Sequence, residues 1–236
     1  MKKYKILANE IIEFIIEKNL KRGYKLPKVN EFQQTFGYGK STVLQALTLL
    51  DQQGIIYKVQ GSGVFVRRNP GDLKEYVALT ENLGFYSNNQ NVKTRVLKLE
   101  ELRLPPKWAV EKGLPASPCY SVKRIRIKED GPFVIEHSYY SQQSVPYLSR
   151  EIVEGSIFSY IRQALGKDIR FSEKYMHVVK LTDEQAEFLQ LEENDPALEI
   201  KEVFSLSDGQ IFDVSRLVYN YKNSKFFSQS SDEILS

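Results

Sequence analysis

Apolar residues recur at helical spacing through the first part of the chain. In "YKILANEIIEFIIEKN", Tyr4, Ala8, Ile11 and Ile15 fall on one face while Glu10, Glu13 and Glu17 lie elsewhere, which predicts an amphipathic helix over 4–19. Gly23 and Pro27 stop it. Val29, Phe32 and Phe36 mark a short second helix that ends at Gly37. A third runs from about Ser41 to Gln53, with Val43, Ala46, Leu47 and Leu50 on one face and Gly54 at its end. The period then changes to two. "IIYKVQ" and "VFVRR" flank Gly61-Ser62-Gly63 and predict a hairpin.

"NPGD" at 69–72 is the clearest linker candidate. Beyond it, strands mix with helices. "TRVLKLEEL" predicts a strand and "PPKWAVEKGL" a short helix. "CYSVKRIRI" and "FVIEHSYY" form a hairpin through "KEDGP". "SIFSYIRQALG" and "TDEQAEFLQL" predict helices capped by Ser156 and Thr182. "DIRFSEKYMHVVKL", "ALEIKEVFSL" and "IFDVSRLVYN" predict strands. No internal repeat interrupts this order. The pattern divides the chain into a head at 1–68, a linker at 69–77 and a body at 78–236, the body α+β with a largely antiparallel sheet.

Charge sharpens the division. Through Arg68 there are 12 Lys/Arg against 5 Asp/Glu, a net of +7. The remaining 21 basic and 25 acidic residues give −4. A basic head on a mildly acidic body suits a head that meets a polyanion, although ordinary surface variation produces such contrasts too. No apolar run approaches the roughly 18 residues of a membrane span. The basic, then amphipathic start lacks a small-residue cleavage site, which argues against a signal peptide. The single cysteine, Cys119, rules out an internal disulfide framework and fits a reducing cytoplasm.

"GYGKST" raises a sharper question, because Gly39-Lys40-Ser41-Thr42 resembles the end of a phosphate-binding loop. That motif needs a glycine five residues before Gly39 and a buried strand ahead of it. Position 34 is Gln34, and the preceding segment has helical period. Helix, turn, helix and hairpin is instead the order of a winged helix-turn-helix, whose second motif helix enters the major groove. Lys40, Ser41 and Thr42 then open that helix, where short donors and the helix dipole reach phosphates. Gln45 and Thr48 share the face opposite Val43 and Leu47, and Gln pairs with adenine through N6 and N7. Gly61, Ser62 and Gly63 let a wing approach a minor groove beside Lys58, Arg67 and Arg68. Taken singly, these residues also suit plainer roles: Ser41 a cap, Gln45 and Thr48 solvated, the glycines a turn.

These residues carry a family resemblance. "GYKLPKVNEFQQTFGYGKSTVLQALTLLDQQGIIYKVQGSGVFV" resembles the DNA-binding domain of the GntR family of bacterial regulators. Residues 78–222, through "VKRIRIKEDGPFVIEHSYY", "GSIFSYIRQALG" and "FDVSRLVYN", are similar to the UTRA ligand-sensing domain of its HutC branch, and most like its YydK-like regulators. The resemblance implies a chorismate-lyase-like body, a cytoplasmic homodimer joined chiefly through 78–236, and a palindromic operator of double-stranded DNA read by two heads. It implies no cofactor. It adds Lys28 and Tyr38 to the expected DNA-binding residues. Two departures stand out. The family's P-(S/A)-E is Pro27-Lys28-Val29, and its two recognition arginines are Lys40 and Leu44. Lys40 keeps a charge but loses the bidentate fork. Leu44 forfeits a contact, or touches a thymine methyl.

In the body, Arg124 and Arg126 alternate on one strand and so share a face. Two guanidinium forks suit a phosphate or carboxylate. Glu136, Ser138 and Tyr140 share a face of the next strand, and Asp213 and Tyr219 a face of the last. From the residues alone this fits a sugar-phosphate pocket or a cross-strand ion-pair ladder. The resemblance favours the pocket. It implies that Arg124 and Arg126 hold the effector's anion with help from Ser156, that Glu136 takes hydroxyls, and that Asp213 and Tyr219 contribute near the last strand. Thr80 falls at the pocket rim, and Phe158 replaces a usual tyrosine. A small phosphosugar or related anion is the effector expected.

The chorismate-lyase likeness raises an enzymatic alternative. His137 and His177 have no partner at metal-ligand spacing, and no Cys-His arrangement appears. Cys119 reads as buried and inert, and Trp108 as core packing.

Overall fold

In a computed structural model, the structure describes residues 2–73, 76–79 and 92–229. Two compact units divide the chain. One spans Met1–Tyr76 and takes in the C-terminal stretch from Phe227; the other spans Val77–Phe226.

The first unit packs α1 (Lys3–Glu17), α2 (Val29–Phe36) and α3 (Lys40–Gln52) against the hairpin of β1 (Ile56–Val59) and β2 (Gly63–Val66). The periodic residues of each helix meet at one core. Leu7, Ile11 and Ile15 of α1 are fully buried with Phe32 of α2 and Val43, Ala46 and Leu50 of α3. The missing Ser/Ala-Glu start of α2 is met another way: the Glu31 carboxylate accepts the Lys28 backbone N–H at 2.7 Å. Gly37 ends α2 in the left-handed region at φ +72, where a β-carbon is disfavoured. Residues Pro70–Leu73, expected within a linker, form a 3₁₀ turn. Asn69 anchors it: its buried amide donates to the Ile15 carbonyl and its oxygen accepts from the Gly71 N–H.

The second unit is built on a six-stranded sheet. Its strands are β4 (Lys93–Leu102), β5 (Cys119–Lys128), β6 (Gly131–Ser141), β7 (Ile169–Lys180), β8 (Pro196–Leu206) and β9 (Ile211–Asn220). The order is β4-β5-β6-β9-β8-β7 and every pairing is antiparallel. Alternation sorts the side chains onto two faces. One face packs on α5 (Arg150–Glu154) and α6 (Ile157–Gln163) through Val122, Tyr140, Phe204 and Phe212. The other is covered near one end by α4 (Lys107–Glu111) and near the other by α7 (Asp183–Leu189). Ser156 and Thr182 cap α6 and α7 by accepting the Ser159 and Gln185 N–H groups. The helix α5 was not legible from periodicity. Nor were the three-residue strands β3 (Tyr76–Ala78) and β10 (Lys225–Phe227), which pair with each other.

Candidate functional site

The exposed face of α3 carries most of the residues expected to read DNA. Lys40, Ser41, Gln45 and Thr48 are exposed, as are Lys28 and the wing tip Gly61-Ser62-Gly63; Thr42 is half-buried. α3 begins at Lys40 with Gly39 as its N-cap, so Ser41 lies inside the first turn with its hydroxyl outside the cap. A helix, α2, stands where a phosphate loop would need its strand. Tyr38 turns back to the unit: its hydroxyl donates to Glu10 at 3.1 Å. Lys58 donates to Thr48 at 3.2 Å and pairs with Asp51 at 3.5 Å, so both expected contacts hold each other across an exposed surface. Such a pair is worth little and yields to a phosphate. Pattern reading missed the lysines at the start of α1. Lys2 and Lys3 line an open groove with Tyr4, Thr42, Leu44 and Gln45. Leu44 is 45% exposed on that groove, an apolar contact surface where an arginine was expected.

The second site is a polar cluster inside the sheet, under α6. Register places Arg124 of β5 opposite Glu136 of β6. The Arg124 Nη2 donates to Glu136 Oε1 at 2.6 Å, its Nη1 to the Val153 carbonyl at 2.9 Å, and the Arg126 Nε to Glu136 Oε2 at 3.0 Å. All three side chains are almost wholly buried. Burial alone would push the Glu136 carboxyl up; the two guanidiniums outweigh it and hold the group at about 2. The fork is not used up, for Arg124 Nε and Arg126 Nη1 are buried with no hydrogen-bond partner among the described residues. Together with Phe158, Glu202, Asp213 and Ser215 the trio walls a cavity of about 20 Å3, room for one water molecule.

Of the residues expected around an effector, the structure brings Arg124, Arg126, Glu136, Phe158 and Asp213 to this wall. Ser156 caps the helix that covers it. Tyr219 shares the face of Asp213 but lies farther along β9, against Phe226 at 4.9 Å in a separate apolar cluster. Thr80 lies outside the described residues. Three participants were missed. Glu202 of β8 lines the cavity, and Lys174 of β7 donates to it. An acid inside the apolar run "EVFSL" was the available signal. Ser215 was missed as well, two residues from Asp213 and opposite Ser138.

His137 is half-buried and contacts the Ser121 hydroxyl at 3.0 Å, while His177 is exposed on β7. Cys119 is buried, and its thiol is pushed up to about 11 by burial. Trp108 packs edge-on against Tyr139. Among the described residues no helix is long and apolar enough to cross a membrane.

Residues 3–66 match the gntR family of bacterial regulatory proteins, and residues 87–224 match the UTRA domain. The chain belongs to the GntR family. Among relatives of this GntR regulator is the HTH-type transcriptional regulator YydK of Bacillus subtilis (strain 168), 40% identical over the whole of both chains. The crystal structure of YydK superposes with a TM-score of 0.86 at 39% identity, covering 98% of this chain and 100% of that one. The mannosyl-D-glycerate transport/metabolism system repressor MngR of Escherichia coli (strain K12) is 28% identical, covering 94% of this chain and 93% of MngR. The GntR regulator is thus a DNA-binding transcription regulator: a winged helix-turn-helix followed by a UTRA domain with a large antiparallel sheet.

Proposed function

We propose that this GntR regulator is a repressor that holds a palindromic operator as a homodimer and responds to a small anion, with phosphosugars as the effector class. The observation that carries the reading is the Arg124–Glu136–Arg126 cluster. Two buried guanidiniums share one carboxylate, and each keeps a buried nitrogen without a partner among the described residues. An unsatisfied buried donor costs about 1–3 kcal/mol, and an oxyanion in the cavity recovers that cost at both arginines. A phosphosugar exceeds the present volume, so its entry requires Phe158 and Ile157 of α6 to withdraw. Such a ligand shifts the protein only by binding one arrangement better than the other. MngR is by name the repressor of a transport/metabolism system for mannosyl-D-glycerate, an anionic glycoside.

Dimerisation is proposed through the body. β7 ends the sheet order and exposes Phe171, Met176 and Val178. An open edge of that kind is a template for a second copy, and two-fold symmetry then sets two heads on two half-sites. The reading places the protein in the cytoplasm.

Two measurements test it. A gel shift on DNA upstream of the protein's own gene, at physiological salt, should show binding above that on random DNA; equal binding ends the regulator reading and leaves a ligand sensor, which Lys40 and Leu44 in place of arginines would favour. A panel of phosphosugars should raise the melting temperature, and Arg124→Ala should remove the gain. Undiminished stabilisation of that variant takes Arg124 out of the site.

A further inference from the structure

Three oxygen–oxygen contacts run in series through the cluster. Asp213 Oδ1 meets the Ser215 hydroxyl at 2.6 Å, Ser215 meets Ser138 at 2.7 Å, and Ser138 meets Glu136 Oε1 at 3.2 Å. Each needs one hydrogen. The two serines supply two, since a hydroxyl donates once. The third must sit on a carboxyl. Glu136 is the wrong holder, because both its oxygens already accept from arginines. Asp213 remains.

We propose that Asp213 is a neutral carboxylic acid heading a one-way relay, Asp213 to Ser215 to Ser138 to Glu136, and that its proton makes this cavity a receptor for a small anion. The proposal rests on the effector reading above and assigns the charge state of that site. Every charged group facing Asp213 enters the count. Arg124 and Arg126 of β5 against Glu136 of β6 leave +1. Glu202 of β8 is cancelled by Lys174 of β7. Tyr140 of β6, opposite Asp213 in the register, is neutral, and α6 offers Phe158 and Ile157. With Asp213 protonated the cavity carries +1; with Asp213 ionised it carries none and offers an anion no net attraction. Burial, then the charges of Glu136 and Glu202, also push the Asp213 carboxyl well above its usual range, against Arg124 and against a Ser215 hydroxyl that would donate to the ionised form.

The linkage has a definite sign. An anion binds the protonated form better, so affinity is full at low pH and falls by about tenfold per pH unit once Asp213 ionises. Asparagine reproduces the neutral acid: its amide donates to Ser215 and its oxygen accepts.

The test uses the full-length protein in two arms. Infrared difference spectra of wild type minus Asp213→Asn at neutral pH should contain the carbonyl band of a protonated carboxyl, shifting in D2O. A difference containing only carboxylate bands overturns the proposal. In the second arm, sulfate, whose charge is constant over the range, is titrated by thermal shift at about pH 6 and about pH 9. Sulfate should stabilise both proteins at the lower pH; where wild type loses that stabilisation at the higher pH, Asp213→Asn should keep it, and a parallel loss in Asp213→Asn overturns the proposal. Loss of the sulfate response in Asp213→Asn at both values overturns the proposal, because it shows that an ionised Asp213 is required. A protonated-acid band with no sulfate response in either protein sinks the anion half, and with it the effector reading, while the proton assignment stands.

Discussion

Replacing Glu136 by glutamine removes one charge and leaves shape nearly unchanged, so it isolates the role of that carboxylate. The magnitude follows from burial. The side chains of Arg124, Arg126 and Glu136 are 4%, 2% and 7% exposed, so solvent screening gives little relief. Breaking a buried ion pair by removing one partner costs about 3–5 kcal/mol, since the charge left behind stays desolvated. Here two guanidiniums lose the carboxylate they share. For a unit of this size each kcal/mol moves the melting temperature by about 2–4 °C, which gives a fall of about 6–20 °C for Glu136→Gln. The cavity simultaneously gains a positive charge. Thermal unfolding in sulfate, against chloride at matched ionic strength, should therefore stabilise Glu136→Gln more than wild type. A fall of less than about 3 °C, with equal sulfate effects, would refute the account, because it would mean that the arginines do not depend on Glu136.

Two further substitutions probe the first unit. Leu44→Arg puts a guanidinium on the open groove of α3, and should tighten operator binding and steepen the dependence on log salt by about 0.9, one added phosphate contact; an unchanged slope means that Leu44 does not face the backbone. Gly54 sits at φ +62 with the Gln229 amide where a β-carbon would lie, so Gly54→Ala should destabilise the unit by about 1–2 kcal/mol. Gly54→Asn should recover part of that loss in a denaturant melt, since Asn tolerates the left-handed region; equal losses would place the cost in the contact with Gln229.

Much of this was legible because periodicity reports which side of an element is buried. The three helices, Gly37 and Gly54 as stops, the glycine-tipped hairpin and the shared face of Arg124 and Arg126 all follow from local spacing. Alternation does not report which strand lies alongside, or how far along it a residue falls. β6 pairs with β9 across some seventy intervening residues, and that pairing sets Ser138 beside Ser215. The same crossover brings Glu202 and Lys174 to the cavity. Tyr219 has the right parity but the wrong height, and so reaches Phe226. Asn69 made the "NPGD" stretch look slack, yet its amide ties that stretch to α1. The shortest elements, β3 and β10, hold three residues each, too few for a period to show.

The chain enters the second unit after Tyr76 and leaves it before Phe227. Beyond that exit, the Phe227 ring lies 4.6 Å below the Arg68 guanidinium and Gln229 sits over Gly54. The head is therefore not one continuous stretch of the gene. A graft that exchanges heads with a single junction near residue 76 would carry the donor's α1–α3 and hairpin but leave behind the recipient's last segment. Chimeras of this regulator need two junctions, one on each side of the sensing domain, and a recombination event that supplies only one delivers a head with a mismatched closing piece.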